Sequence, residues 1–153
     1  MVQTINSKFV EEENKILTTP CTPVLEMTQE YDNLIRDMVD TAKANPGCIG
    51  LAANQIWKDA TRPAPTIMIM PGYPDWAVCI NPAIEQVWKK EAKEAEGCMS
   101  VPRSPVSKKR ARHIKISYYG DKLVKQKELH LFDLPARIFQ HEVDHLKGIL
   151  LHG

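Results

Sequence analysis

The chain has 153 residues, of which 43% are hydrophobic, and 20 Lys and Arg against 19 Asp and Glu leave a formal charge of +1. That length and that apolar share predict one compact domain, 1–153, able to bury roughly two-thirds of its unfolded surface. The even charge balance lacks the basic footprint of nucleic-acid binders, so no specific nucleic-acid partner is expected. The short run Lys108, Lys109, Arg110 and Arg112 reads as a solvated loop with one structural arginine.

No apolar stretch reaches the length of a membrane span, and the N-terminus lacks the basic-then-apolar pattern of a secretion signal. The four cysteines (Cys21, Cys48, Cys79 and Cys98) are scattered, with no CxxC pair, as suits a reducing compartment. A cytoplasmic protein without membrane contact is expected.

Taken in chain order, an acidic start at Glu11 to Glu13 leads to Pro20 and Pro23, which predict an extended, irregular segment. Thr28 can cap a helix in which Tyr31, Leu34, Ile35, Met38, Val39 and Ala42 form one apolar stripe, ended by Asn45-Pro46-Gly47. Thr66 to Met70 and Ala77 to Asn81 read as strands around the turn Pro71-Gly72-Tyr73-Pro74, and Asn81-Pro82 leads on to Ile84 to Trp88. His113 to Tyr119 and Leu123 to Leu131 flank Gly120-Asp121 as a hairpin. Asp133 then caps a second helix from Leu134 to about Lys147, with Pro135 in its first turn and Gly148 as its stop. Helices with mostly antiparallel strands place the chain in the α+β class.

The strongest chemical signal lies in that second helix, where Gln140-His141-Glu142-Val143-Asp144-His145-Leu146 contains H-E-x-x-H. Spacing of four puts both imidazoles on one helical face, one turn apart, with Glu142 beside them as a proton carrier. A catalytic metal needs a third protein ligand. Gly148 matches the extended zinc-peptidase pattern, but His152 falls one residue beyond the ligand position, where Leu151 stands. An upstream cysteine is the better candidate, because a thiolate binds Fe, Co, Ni or Zn strongly. Cys98 stands out among the four, flanked by Gly97 and with Glu96 placed to support a ligand, although spacing alone does not select it.

Three segments carry a resemblance. Glu96 to Ser100 is similar to the EGCLS motif of peptide deformylases, Gln140 to Leu146 to their QHExDHL motif, and Cys48-Ile49-Gly50-Leu51-Ala52-Ala53-Asn54-Gln55 to GxGLAAxQ, in the family's order and at its spacings. The resemblance implies antiparallel sheets packed around a central helix that bears HExxH. It also implies metal-dependent removal of the formyl group from the N-terminal formyl-methionine of nascent polypeptides, with release of formate.

Residue by residue, the family pattern would have Cys98, His141 and His145 hold one divalent ion, Fe(II) by preference, with Zn, Ni or Co able to substitute. Glu142 would take a proton from the attacking water and pass it to the leaving amine. The Gln55 side-chain amide and the backbone N–H of Met99 would meet the developing oxyanion. Small residues at Gly50 and Gly97 would let the substrate lie as an added strand near Ile49, and Ile138 and Leu134, on the face of His141, would line the methionine pocket.

Cys48 departs from the family by replacing the first motif glycine, a costly change if that position needs a positive φ unless Gly47 absorbs it. The chain stops eight residues after His145, as in the short deformylases of some bacteriophages. A monomer in the cytoplasm, the host's if phage-encoded, with transient proximity to the ribosome, is the expectation. Two other readings are a zinc peptidase using His141, His145 and His152, and an inactive metal-binding homologue.

Overall fold

The computed structural model describes residues 1–73, 75–126 and 128–151, and of residues 103 and 104 the backbone alone. The expected turn residue Pro74 and the alternative ligand His152 lie outside the described residues.

Helix α1 spans Glu11–Leu17 and α2 Gln29–Ala44, followed by strands β1 (Leu51–Ala52), β2 (Ile67–Met70) and β3 (Ala77–Val87). The hairpin strands β4 (Glu91–Cys98) and β5 (Val101–Ala111) come next, then β6 (His113–Tyr119), β7 (Leu129–Phe132) and helix α3 (Asp133–Leu146). One antiparallel sheet runs in the order β1-β2-β3-β6-β7, and β4-β5 form a second, two-stranded sheet. The α+β class is the observed one.

The larger sheet is covered on both faces, which explains why every residue of β2 is buried. Ile67 and Ile69 point to the cluster that takes the stripe of α2 (Leu34, Ile35, Met38, Ala42). Met68 and Met70 point to the opposite cluster with Ile138, Phe139, Val143 and Leu146 of α3. Helix α3 touches β1, β2, β3, β6 and β7 of the large sheet and β5 of the small one, so it lies between the two.

Several elements follow the sequence expectation. Thr28 caps α2 by accepting from the Tyr31 N–H at 3.2 Å, and Gly148 ends α3 with a φ of 79°. Asn81, with a φ of 50°, sits where the register of β3 against β6 shifts. Its side chain clamps the backbone of Val24 through both polar atoms, at 2.9 and 2.8 Å. The two predicted strands on either side of Asn81-Pro82 are thereby one bulged strand.

Other expectations are corrected. Residues 11–17 are helical, because the three glutamates of the first turn suit the helix N-terminus and Pro20 and Pro23 lie beyond the last turn. The basic run 108–112 is not a loop up to its last residue: residues 108–111 are the end of β5, and Arg110 is its buried structural arginine. Leu123 to Leu131 is not one strand: positive φ at Lys122 and Leu123 closes a short 3-10 turn, Lys125 makes a single bridge to Tyr119, and the strand itself begins at Leu129. Asp133 begins α3 but does not cap it; its carboxylate accepts from Arg112 at 2.9 Å instead.

Candidate metal centre and substrate pocket

Three donors converge where the small sheet meets α3. Cys98 is the last residue of β4, and His141 and His145 are one turn apart on α3; the Cys98 sulfur and one nitrogen of each ring all lie within 4.8 Å of one another. The Cys98 Sγ is 3.2 Å from His145 Nε2. His141 Nδ1 is 2.9 Å from Glu96 Oε1, which turns its Nε2 toward the other donors.

A buried charge network fixes this geometry. Glu96 accepts two bonds from Arg110 at 3.0 Å and another from Arg137. Arg110 also reaches Asp144, and Arg137 reaches the backbone carbonyls of Ala92 and Lys108. Burial alone would raise the Glu96 carboxyl, but hydrogen bonds from His141 and Arg110 outweigh it and hold the group at about 2. The network ties Arg137, His141 and Asp144, on one face of α3, to the β4–β5 hairpin.

Glu142 sits beside the three donors and is only 4% exposed. Burial pushes its carboxyl up to about 7, against the lowering influence of His141 and Arg110, so it can exchange a proton near neutral pH. Its Oε1 has no hydrogen-bond partner among the described residues. A buried carboxylate oxygen without a partner, beside one sulfur and two nitrogen donors, fits a divalent ion with a reactive ligand at this point.

A cavity of about 420 Å³ opens onto the centre. Cys98, His141, Glu142, Gln55, Met99, Ile49, Gly50, Gly97, Leu134 and Ile138 all line it. Of the predicted site residues, His145 alone is not in the lining; at 1% exposure it lies behind the Cys98 sulfur. Gln55 is held from both ends: its Oε1 accepts from the Ala52 N–H at 2.9 Å and its Nε2 donates to Ser100 Oγ at 3.1 Å, which leaves one amide hydrogen uncommitted by these bonds. Gly50 is required by close approach, since a Cβ there would meet Glu142 Oε2 at 2.6 Å and Ile138 Cγ2 at 3.1 Å. Cys48 does not take a positive φ; Gly47, at 87°, makes the turn for it.

The polypeptide deformylase family model matches residues 6–152 of this sequence. The chain belongs to the polypeptide deformylase family. Among its relatives, the peptide deformylase of Aquifex aeolicus (strain VF5) is 37% identical over 145 residues, which cover 89% of this chain and 79% of that protein. The crystal structure of the Thermotoga maritima peptide deformylase superposes with a TM-score of 0.86 at 27% identity, covering 99% of this chain and 96% of that one. A probable peptide deformylase from synechococcus phage S-SSM7 gives 0.82 at 26% identity, covering 98% and 97%.

The deformylase-like motifs contain the donors and Gln55 together with most of the residues that hold them, but of those supports only Glu96 was expected to act as one. Sequence reasoning passed over Asn54, Ser100, Arg137 and Asp144. Of these, Arg137 and Asp144 stand at −4 and +3 from His141, so the helical face already marked by the imidazoles would have pointed to them. Ser100 matches the last letter of the EGCLS motif but was given no role, and Asn54 fills the variable position of GxGLAAxQ.

Proposed function

We propose that residues 1–153 form one catalytic domain that works as a metal-dependent peptide deformylase, a hydrolase that removes the formyl group from the N-terminal formyl-methionine of nascent polypeptides. The observation that carries this reading is Glu142, a buried carboxyl with an unpartnered oxygen in the wall of an open pocket, next in the chain to a converging donor. A purely structural ion has no use for such a group and closes all four of its positions with protein ligands.

Cys98, His141 and His145 hold the ion, which when bound acidifies water and polarises a carbonyl oxygen. Fe(II) is the favoured ion, and Zn, Ni or Co can substitute on the same sulfur and nitrogen donors. Glu142 takes the proton from the water that attacks the formyl carbon and delivers it to the amine nitrogen as the C–N bond breaks. The products are formate and a free N-terminal amine. Gln55 Nε2 and the Met99 backbone N–H donate to the developing oxyanion. The peptide runs as an added strand along Ile49, Gly50 and Gly97, and its methionine side chain enters the apolar part of the cavity beside Ile138 and Leu134. That all of these residues except the buried His145 line one cavity supports the assignment.

The protein acts in the cytoplasm as a monomer, with brief proximity to the ribosome where its substrates emerge, and without a specific nucleic-acid or membrane partner. Among the described residues, no helix is long and apolar enough to cross a membrane. If the chain is phage-encoded, the cytoplasm is the host's; mutual coverage with the phage structure, 98% and 97%, is matched by that with the Thermotoga maritima one, 99% and 96%. The zinc-peptidase reading loses ground because Cys98 already stands 3.2 Å from His145 as a third donor.

The deciding experiment measures formate release from a formyl-Met peptide by anaerobically purified protein beside Glu142→Ala, with bound metal assayed in both. Release by the wild type, lowered about 10²- to 10⁴-fold in the variant while metal is retained, is the expected result. Metal-loaded wild type that releases no formate would overturn the reading.

A further inference from the structure

Asn54 is fully buried on the short 3-10 turn that follows β1, within the segment Leu51-Ala52-Ala53-Asn54-Gln55. Its amide nitrogen donates to the backbone carbonyl of His145 at 2.6 Å and approaches the carbonyl of Leu17 at 3.5 Å. Two carbonyls on one side fix the orientation of the amide. A flipped side chain would set its own oxygen against both of them.

The amide oxygen is therefore an acceptor, and it is buried with no donor among the described residues. His145 presents the complementary case. Its Nε2 faces the Cys98 sulfur at 3.2 Å, on the side of the converging donors, and its Nδ1 is buried with no partner among the described residues. With Nε2 given to a metal, Nδ1 carries the ring proton and becomes a donor in search of an acceptor. One unmatched acceptor and one unmatched donor thus belong to two residues already joined by a 2.6 Å bond.

We infer that Asn54 is a positioning residue for the metal site: its side-chain oxygen, which makes no direct bond to His145 Nδ1 here, accepts that Nδ1–H across one buried water, or directly once the ion is seated, and so fixes the tautomer and ring orientation of that ligand. Glu96 does the same for His141 with a full negative charge. The two imidazoles are then unequal, His141 backed by a carboxylate and His145 by a neutral amide, so that His141 is the more electron-rich ligand. The inference rests on the reading that His145 holds the ion.

The test uses zinc-loaded protein. Imidazole nitrogen NMR of the wild type is expected to show His145 with its proton on Nδ1 and slow exchange of that proton. In Asn54→Leu, which has similar bulk and no polar atoms, the proton exchanges fast and zinc passes to a chelator about 10- to 100-fold faster; in Asn54→Ser, whose hydroxyl can accept, both effects are partly reversed. A folded Asn54→Leu protein with the wild-type zinc release rate and an unchanged His145 signal would overturn the inference. Should that variant fail to fold, a crystal structure of the zinc-loaded wild type decides. Asn54 Oδ1 bonded to His145 Nδ1 or sharing a water with it supports the assignment, and Nδ1 bonded to a different acceptor rejects it. Failure of the metal reading itself looks different, because the wild type then binds no zinc at the Cys98, His141 and His145 donors.

Discussion

Each oxygen of Glu96 is used twice. Oε1 takes Arg110 Nη2 and His141 Nδ1, and Oε2 takes Arg110 Nε and Arg137 Nη1. Replacing it with glutamine leaves two buried guanidinium groups without their shared counter-charge, a change that costs about 3–5 kcal/mol in other buried ion pairs. Glu96→Gln is therefore expected to unfold at clearly lower urea and to bind metal about 10- to 100-fold more weakly. Urea melts and chelator competition on the same preparation check both. His141 gives a pH prediction. Burial lowers its proton affinity, but hydrogen bonds to Cys98 and Glu96 dominate and hold it up to about 10 in the metal-free protein. A metal must displace that proton. Apparent metal affinity should rise with pH from 6 toward 10, and loading the apoprotein at neutral pH should acidify a weakly buffered solution; affinity flat across that range would contradict it. At this scale the sequence was partly legible. The spacing of His141 and His145 marked them directly and Cys98 stood out among the four cysteines, although the resemblance was needed to select it, whereas Gln55 and Met99 were singled out by resemblance alone. Arg137 escaped notice, and the structural arginine expected in the basic run was not assigned to Arg110, because a buried charge looks like any surface charge until its partner, here 14 residues distant for Arg110, is brought against it.

Secondary-structure elements divide according to what buries them. Helix α2 and the strands β2, β3 and β6 were readable because apolar side chains drive their packing and leave a period in the sequence. The β4–β5 hairpin was not. Its inner face toward α3 carries Glu96 and Arg110, so burial there follows charge pairing and leaves no apolar alternation to read. Helix α1 was too short to show a period, with only Ile16 and Leu17 buried. The end of α3 supplies a test at this scale. Gly148 has a φ of 79°, and a Cβ there would meet the Thr18 backbone oxygen at 2.6 Å. Gly148→Ala should cost about 1–2 kcal/mol from backbone conformation alone, lowering the thermal midpoint by roughly 2–8 °C. Calorimetry of the two proteins gives the comparison, and an unchanged midpoint would show that the turn relaxes freely.

Over the whole molecule, the donors come from different bodies: Cys98 from the small sheet, and both imidazoles from a helix that packs on the large sheet. An ion bound to all three joins the hairpin to the rest of the fold. If opening the hairpin breaks the site, metal at about 100 times its Kd stabilises the closed form by about 2.7 kcal/mol. Hydrogen exchange followed by mass spectrometry should then show amides of β4 and β5 opening roughly 100-fold more often after chelation, while β2, buried in the large sheet, changes little. Equal acceleration everywhere would mean that the ion stabilises the fold globally and not this joint.

The four-way use of Glu96 gives that joint a further property. The carboxylate that pins the hairpin also aims the His141 ring, so opening of the hairpin would by itself misalign the reactive centre. A molecule with its hairpin open would then be silent, not slow. In a population under thermal or chemical stress, turnover should report the fraction of closed molecules in direct proportion, which makes the enzyme its own gauge of integrity.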